Sequence, residues 1–107
     1  MDTSSHRSVF PLIPLAHDHM IGMRAVAIPL RDKAEQVLLG GREVVFDFAD
    51  VSVTQSFVDE LIGNLILRHG PDLLERMIFS NCSDDTRAIL EFVASDRADQ
   101  YLSAHTH

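Results

Sequence analysis

Tryptophan is absent from these 107 residues, cysteine occurs once, at Cys82, and lysine once, at Lys33. A single cysteine excludes an intrachain disulfide and a thiolate zinc knuckle. The scarcity of lysine, with scattered arginines and a net charge of -7, excludes a broad basic face for nucleic acid, because phosphate contacts need clustered cations. No apolar run approaches the roughly 18 residues that cross a bilayer, so no membrane partner is expected. The opening Met-Asp-Thr-Ser-Ser-His has neither the basic region nor the apolar run of a secretory leader, and the expected location is the cytoplasm. Phosphate-cradling glycine loops are missing, since Gly40-Gly41 stands without their flanking pattern, and no Gly-x-Ser-x-Gly elbow occurs. With 46% hydrophobic and 23% charged residues, what remains is one globular domain over residues 1–107, large enough for its own core.

The chain is organised around one stretch. Val44 to Phe48 is a short apolar run, rich in β-branched and aromatic residues and interrupted only by Asp47, which reads as a buried strand. After a polar turn an apolar spacing of three and four begins at Phe57 and continues through Leu61 and Leu65, with Val58, Ile62 and Ile66 alongside. That pattern predicts an amphipathic helix from about Phe57 to His69, stopped by Gly70-Pro71. Ser56 stands just before it and Asp59 three positions on, near to a capping box. A hydroxyl is thus expected at the mouth of a helix beyond the end of a buried strand.

The flanking segments are less regular. Ser8 to Leu15 is apolar but carries Pro11 and Pro14, so it reads as an edge strand or an extended arm. His17-Asp18-His19 reads as a polar turn. From Ile21 through Met23, Val26, Ala27, Leu30, Ala34, Val37 and Leu38 the spacing is helical, although Pro29 predicts a kink or two short helices before Gly40-Gly41. Asp72 to Glu75 adds a turn, Arg76 to Ser80 a second short strand, and Asn81 to Ser83 a turn. Ser83 or Asp84 then caps a final helix holding Ile89, Leu90, Phe92, Val93, Ala94, Ala98, Tyr101 and Leu102. Strand and helix alternating in this way predict an α/β fold: a few-stranded, mostly parallel sheet with right-handed crossovers and about three helices. The helices would cover one face and leave the other for a partner.

Several side chains invite chemistry and have a plainer reading beside it. A buried Asp47 would have a raised pKa and could act as acid or base, whereas at a strand end it would accept hydrogen bonds from the turn that holds Asp50, Thr54 and Gln55. His17, Asp18 and His19, with His105 and His107, invite a metal, but two histidines two apart share a side only in an extended segment and no third ligand has a supporting pattern, so no metal or other cofactor is expected. Cys82 lies beside Asp84 and Asp85, which push its pKa away from a thiolate. Ser56, His69 and an aspartate form a triad only on paper. Asp84, Asp85, Glu91, Asp96 and Asp99, with Arg87 and Arg97, read as the solvated face of the last helix.

Asp47-Phe48, Ser56-Phe57 and Asp59-Glu60-Leu61, with Gly63, the break at Gly70, a strand ending in Asn81, and the helix ahead of the central strand with Gly22 and Arg24, resemble the signature of the STAS-like family of uncharacterised function. The resemblance covers about residues 20–102. That family is named for its similarity to anti-sigma-factor antagonists, in which the matching turn reads Asp-Ser-Ser-Gly and its first serine is phosphorylated by a kinase-like partner. Ser56 matches that serine by position; Gln55 replaces the acidic residue, and Phe57-Val58 replace Ser-Gly. The resemblance implies a bacterial, non-enzymatic signalling module that docks a kinase-like ATPase or another anti-sigma-type regulator. Ser56, Asp47, Asp50, Thr54, Gln55, Phe57, Asp59 and Glu60 are the expected binding and switch residues, and a homodimer is left open. Two other classes stay open beside it. One is an enzyme or ligand-binding protein using the strand-end crevice, lined by Asp47, Ser56 and Asp59. The other is an effector that blocks a host factor through an apolar patch on the Val9–Leu15 arm.

Overall fold

The computed structural model describes residues 7–105. Its centre is β3, Glu43–Asp47, with β1, Arg7–Pro11, and β5, Met77–Ser80, parallel to it on either side. The first segment is therefore an edge strand. Pro11 ends it, and Pro14 falls in a 3-10 turn, Ile13–Leu15, so neither proline is asked to donate within the sheet. A second, two-stranded parallel ribbon pairs β2, Met20–Ile21, with β4, Ser52–Val53.

Phe10, Phe46 and Phe79 stand in register across the three strands, with ring centroids 6.2 and 5.9 Å apart. Side chains alternate between the faces of a strand. Phe10, Val44, Phe46, Met77 and Phe79 accordingly face the core, while the row Val9, Val45 and Ile78 belongs to the opposite face and takes no part in the core cluster. Strand order 1-3-5 steps twice in the same direction, so right-handed crossovers put both connecting helices on the Phe46 face.

The first helix differs from the sequence reading. Ile21 lies in β2, Met23 is 68% exposed, and a 3-10 turn, Arg24–Val26, leads into α1, Ala27–Leu39. Pro29 is the third residue of α1, where the backbone N–H would have no intrahelical partner, so the expected kink or break is not needed. Ala27, Leu30, Ala34, Val37 and Leu38 are buried as predicted.

The second helical body begins two residues earlier than expected. It comprises α2, Gln55–Val58, a wide π-helical turn, Asp59–Gly63, and α3, Asn64–His69, run together without a break. Phe57, Val58, Leu61, Ile62, Leu65 and Ile66 are all fully buried, as their spacing predicts. Gly70 ends it with φ of 92°, a left-handed conformation that costs glycine least. A 3-10 turn, Pro71–Arg76, leads to β5, and α4, Asp84–Ala104, follows with Ser83 as its cap. Leu90 and Val93 are buried, but Phe92 is 57% exposed and is not a core residue.

Candidate functional site

At the C-terminal end of β3 the carboxylate of Asp47 joins two turns. Its Oδ1 accepts from Ala49 N at 3.0 Å and from Asn81 Nδ2 at 2.9 Å. Asn81, followed by Ala49, holds this carboxyl below its ordinary pKa, so the raised value required for a general acid does not arise here. Asp50 and Asn81 both have positive φ, at 60° and 57°, where short polar side chains are tolerated. The Asp50 carbonyl accepts from His19 Nδ1 at 2.9 Å, which requires the proton on that nitrogen.

Thr54, and not Ser56, is the helix cap. Thr54 N donates to Ile21 O, extending the β2–β4 pairing by one residue, and its extended backbone turns its side chain toward the helix. Oγ1 accepts from Phe57 N at 3.2 Å and donates to Gly22 O at 3.0 Å. Both threonine and serine can cap, and only the ribbon decides which does. Ser56 becomes the second residue of the helix. It is exposed, and among the described residues its hydroxyl makes no hydrogen bond.

Asp59 and Glu60 turn inward to a charged network. Arg97 Nε and Nη2 grip Asp59 at 2.6 and 2.8 Å, and Arg24 Nη1 reaches it at 3.1 Å. Burial pushes the Asp59 pKa up, but the hydrogen bonds and charges of Arg97 and Arg24 outweigh it and leave a net lowering. Hydrogen bonding to Asp59 raises the pKa of both arginines in return. Buried Glu60 pairs with buried Arg31 and also accepts from Asn64 and Arg24. Arg31 Nε has no partner among the described residues. Gly63 makes room for this network: a Cβ there would lie 2.6 Å from Asp59 Oδ1.

The eight expected site residues therefore divide. Asp50, Gln55 and Ser56 are exposed on one turn and helix mouth; Thr54 and Asp47 fix its shape. Phe57 is a core residue, and Asp59 and Glu60 are engaged internally, so none of these three is an open contact. Sequence reasoning missed Arg24, Arg31 and Arg97 as partners. From sequence Arg97 belongs to the solvated face, and nothing in the spacing of α4 distinguishes it from Arg87.

The alternatives can be placed as well. A broad, open depression of about 580 Å³ does lie at the strand ends, lined by Phe48, Asp50, Ser52, Asn81, Cys82 and Ser83 among others. Asp47, Ser56 and Asp59 do not line it. His69 Nε2 donates to Glu35 Oε2 at 2.6 Å, at the far end of the helical body from Ser56, about 20 Å away by helical rise. No triad forms. Among the described residues no three His, Cys, Asp or Glu converge to hold a metal, and His105 instead stacks on Tyr101; His107 lies outside the described residues. Burial raises the Cys82 thiol pKa, with Asp47 adding to the rise and Arg87 opposing it; the cause is desolvation rather than the neighbouring Asp84 and Asp85. No helix among the described residues is long and apolar enough to cross a membrane.

Fold and site together define a small α/β domain of a parallel three-stranded sheet, one face of it covered by helices, with an exposed, non-capping serine at a helix mouth beyond the central strand. The family model described as a STAS-like domain of unknown function matches residues 26–87, and the chain belongs to that family. No curated protein and no solved structure matches it.

Proposed function

We propose that this domain is a non-enzymatic protein-binding regulatory module, akin to the anti-sigma-factor antagonists for which its family is named. It docks a kinase-like ATPase or another anti-sigma-type regulator through the 50–56 turn and the mouth of α2, and phosphate on Ser56 releases that partner. The observation that carries this reading is the free, exposed hydroxyl of Ser56 in a helix whose cap is already supplied by Thr54. Phosphate added there would meet the positive end of the helix. Asp59, one turn away, would repel it, but Asp59 is already held by Arg97 and Arg24.

The test begins with intact-mass analysis of the protein isolated from its own cells, followed by binding of the recovered partner to Ser56→Ala and Ser56→Glu variants. A single added phosphate and binding retained in Ser56→Ala but lost in Ser56→Glu are expected. Equal binding by both variants would remove the switch and leave the docking. An effector that blocks a host factor through the Val9–Leu15 segment is a second reading, favoured by the exposure of Val9 at 56% and of Ile13 and Leu15 at 40%. A partner whose binding is abolished by Val9→Ser and indifferent to Ser56→Glu would favour it instead.

A further inference from the structure

A groove of about 490 Å³ runs between the β2–β4 ribbon and the first half of α4. Met20, Val53, Ala88 and Ile89 supply its apolar wall, and Met20 is 45% exposed. Phe92 follows Ala88 by four residues and Ile89 by three, so it continues the same stripe of the helix surface. An exposed phenylalanine on an otherwise acidic helix is the kind of aromatic anchor that dominates binding at interfaces.

The charges on this stripe have one sign. Asp85 lies one turn before Ala88, Asp96 one turn after Phe92, and Asp99 three residues beyond that. All three are exposed, and among the described residues none forms a salt bridge; Asp96 accepts from Gln100 and also feels the charge of the adjacent Arg97. Of the two arginines of α4, Arg97 commits Nε and Nη2 to Asp59 and reaches the stripe only through Gln100, to which its Nη1 donates, while Arg87 lines a separate depression with Phe79 and Cys82. An apolar knob is thus bracketed by carboxylates along a single face.

We infer that this face is a docking surface for a cationic amphipathic helix of a partner protein, whose apolar side seats beside Phe92 and whose Lys or Arg residues reach Asp85, Asp96 and Asp99. Charge selects the occupant. A second copy of the chain would set the same three aspartates against one another, and an anionic lipid surface or a nucleic acid would be repelled by them. The surface adjoins the 50–56 turn through Ser52 and Val53, yet it does not depend on any modification of Ser56.

The test titrates the isotopically labelled full chain with a synthetic amphipathic helical peptide of leucine and lysine, followed by nuclear magnetic resonance. The same peptide with glutamate in place of lysine is the control. Shifts gathered at Met20, Ser52, Ala88, Ile89 and Phe92 are expected, with binding weakened by salt and absent for the control. Phe92→Ser, at an exposed position that leaves the fold intact, is expected to lower affinity by about tenfold, the loss of one anchor. Asp85→Asn with Asp96→Asn is expected to do the same and to flatten the salt dependence. Shifts spread over all acidic residues with no effect of Phe92→Ser would reduce the attraction to net charge and overturn the proposal. So would sedimentation showing a dimer that depends on Phe92 and excludes the peptide. Ser56→Glu is included because it should leave this binding unchanged, so that failure of the switch and failure of this surface are told apart.

Discussion

Replacing Asp59 by asparagine removes a charge from the junction of three helices while keeping its shape. Asp59 is 14% exposed and Arg97 25%, and two short hydrogen bonds join them; the third partner, Arg24, is 48% exposed. A buried charge-assisted hydrogen bond contributes about 1.5–3 kcal/mol and an exposed ion pair about 0–1 kcal/mol. The mostly buried Arg97 pair falls in the lower half of the first range, at about 2 kcal/mol, and the half-exposed Arg24 adds little. Asp59→Asn is therefore expected to lose about 2 kcal/mol at pH 7, lowering Tm by roughly 10 °C in a domain of this size. Because the folded pKa of Asp59 is depressed, the stabilisation is fully present above the unfolded carboxyl pKa of about 3.9 and is lost as pH falls through the lower folded value. The native and Asp59→Asn stabilities should then converge in acid. Urea unfolding at pH 7 and at successively lower pH, with Arg97→Met and the double variant completing a cycle, measures both the size and the sign. A loss below about 0.5 kcal/mol at pH 7, the ordinary scatter of surface substitutions, would refute the reasoning. A gap that persisted unchanged into acid would refute it equally.

Gly63→Ala is expected to destabilise the native protein by about 1 kcal/mol or more, because the new Cβ drives Asp59 off Arg97. In an Asp59→Ala background the nearest neighbour left is Arg97 Cγ, 3.3 Å from the new Cβ and on a side chain no longer held by Asp59, so the same change should cost clearly less or stabilise by up to about 1 kcal/mol through helix propensity; an equal cost in both backgrounds would refute the account. Thr54→Ala should cost about 1 kcal/mol in urea unfolding and Ser56→Ala less than about 0.5 kcal/mol, the reverse of what a Ser56 cap requires. Cys82 should react with a disulfide reagent more slowly than an unhindered thiol at pH 8, with its rate still climbing at pH values where the free thiol has levelled off.

Much of the architecture was legible because it is written in apolar spacing. The runs that became β3, β5 and the buried side of the second helical body stand out by period alone, and Gly70-Pro71 marks the stop. Two misreadings have a common cause in tertiary context. Ile21 and Met23 continue a helical period, but Ile21 is drawn into a two-residue ribbon by Val53, a partner more than thirty residues away. Phe92 likewise fits the period of α4, yet α4 is covered on only one side, so a period that matches both stripes does not say which is buried. At the site, Asp47 and the turn after it were legible as local chemistry. The cap was not, since Thr54 and Ser56 are equivalent candidates until the ribbon fixes the direction in which the chain enters the helix. The arginine network was invisible for a plainer reason: Asp59 and Arg97 are 38 residues apart, and ion pairs carry no periodicity.

The all-parallel pairing of this sheet governs the order in which the molecule can assemble. Its named strand pairs join Arg7 to Glu43, Met20 to Ser52 and Val44 to Met77, separations of 36, 32 and 33 residues, and none of them is a hairpin. Each pairing must therefore wait for the helix between its strands to be made and turned back, and no two-stranded nucleus can form early and locally. Among the described residues β1 has no strand partner until β3 has left the ribosome, and β3 remains open on one side until β5 follows. Helix formation and sheet formation in this chain become one event, so opening of the β3 amides to solvent should track global unfolding rather than precede it.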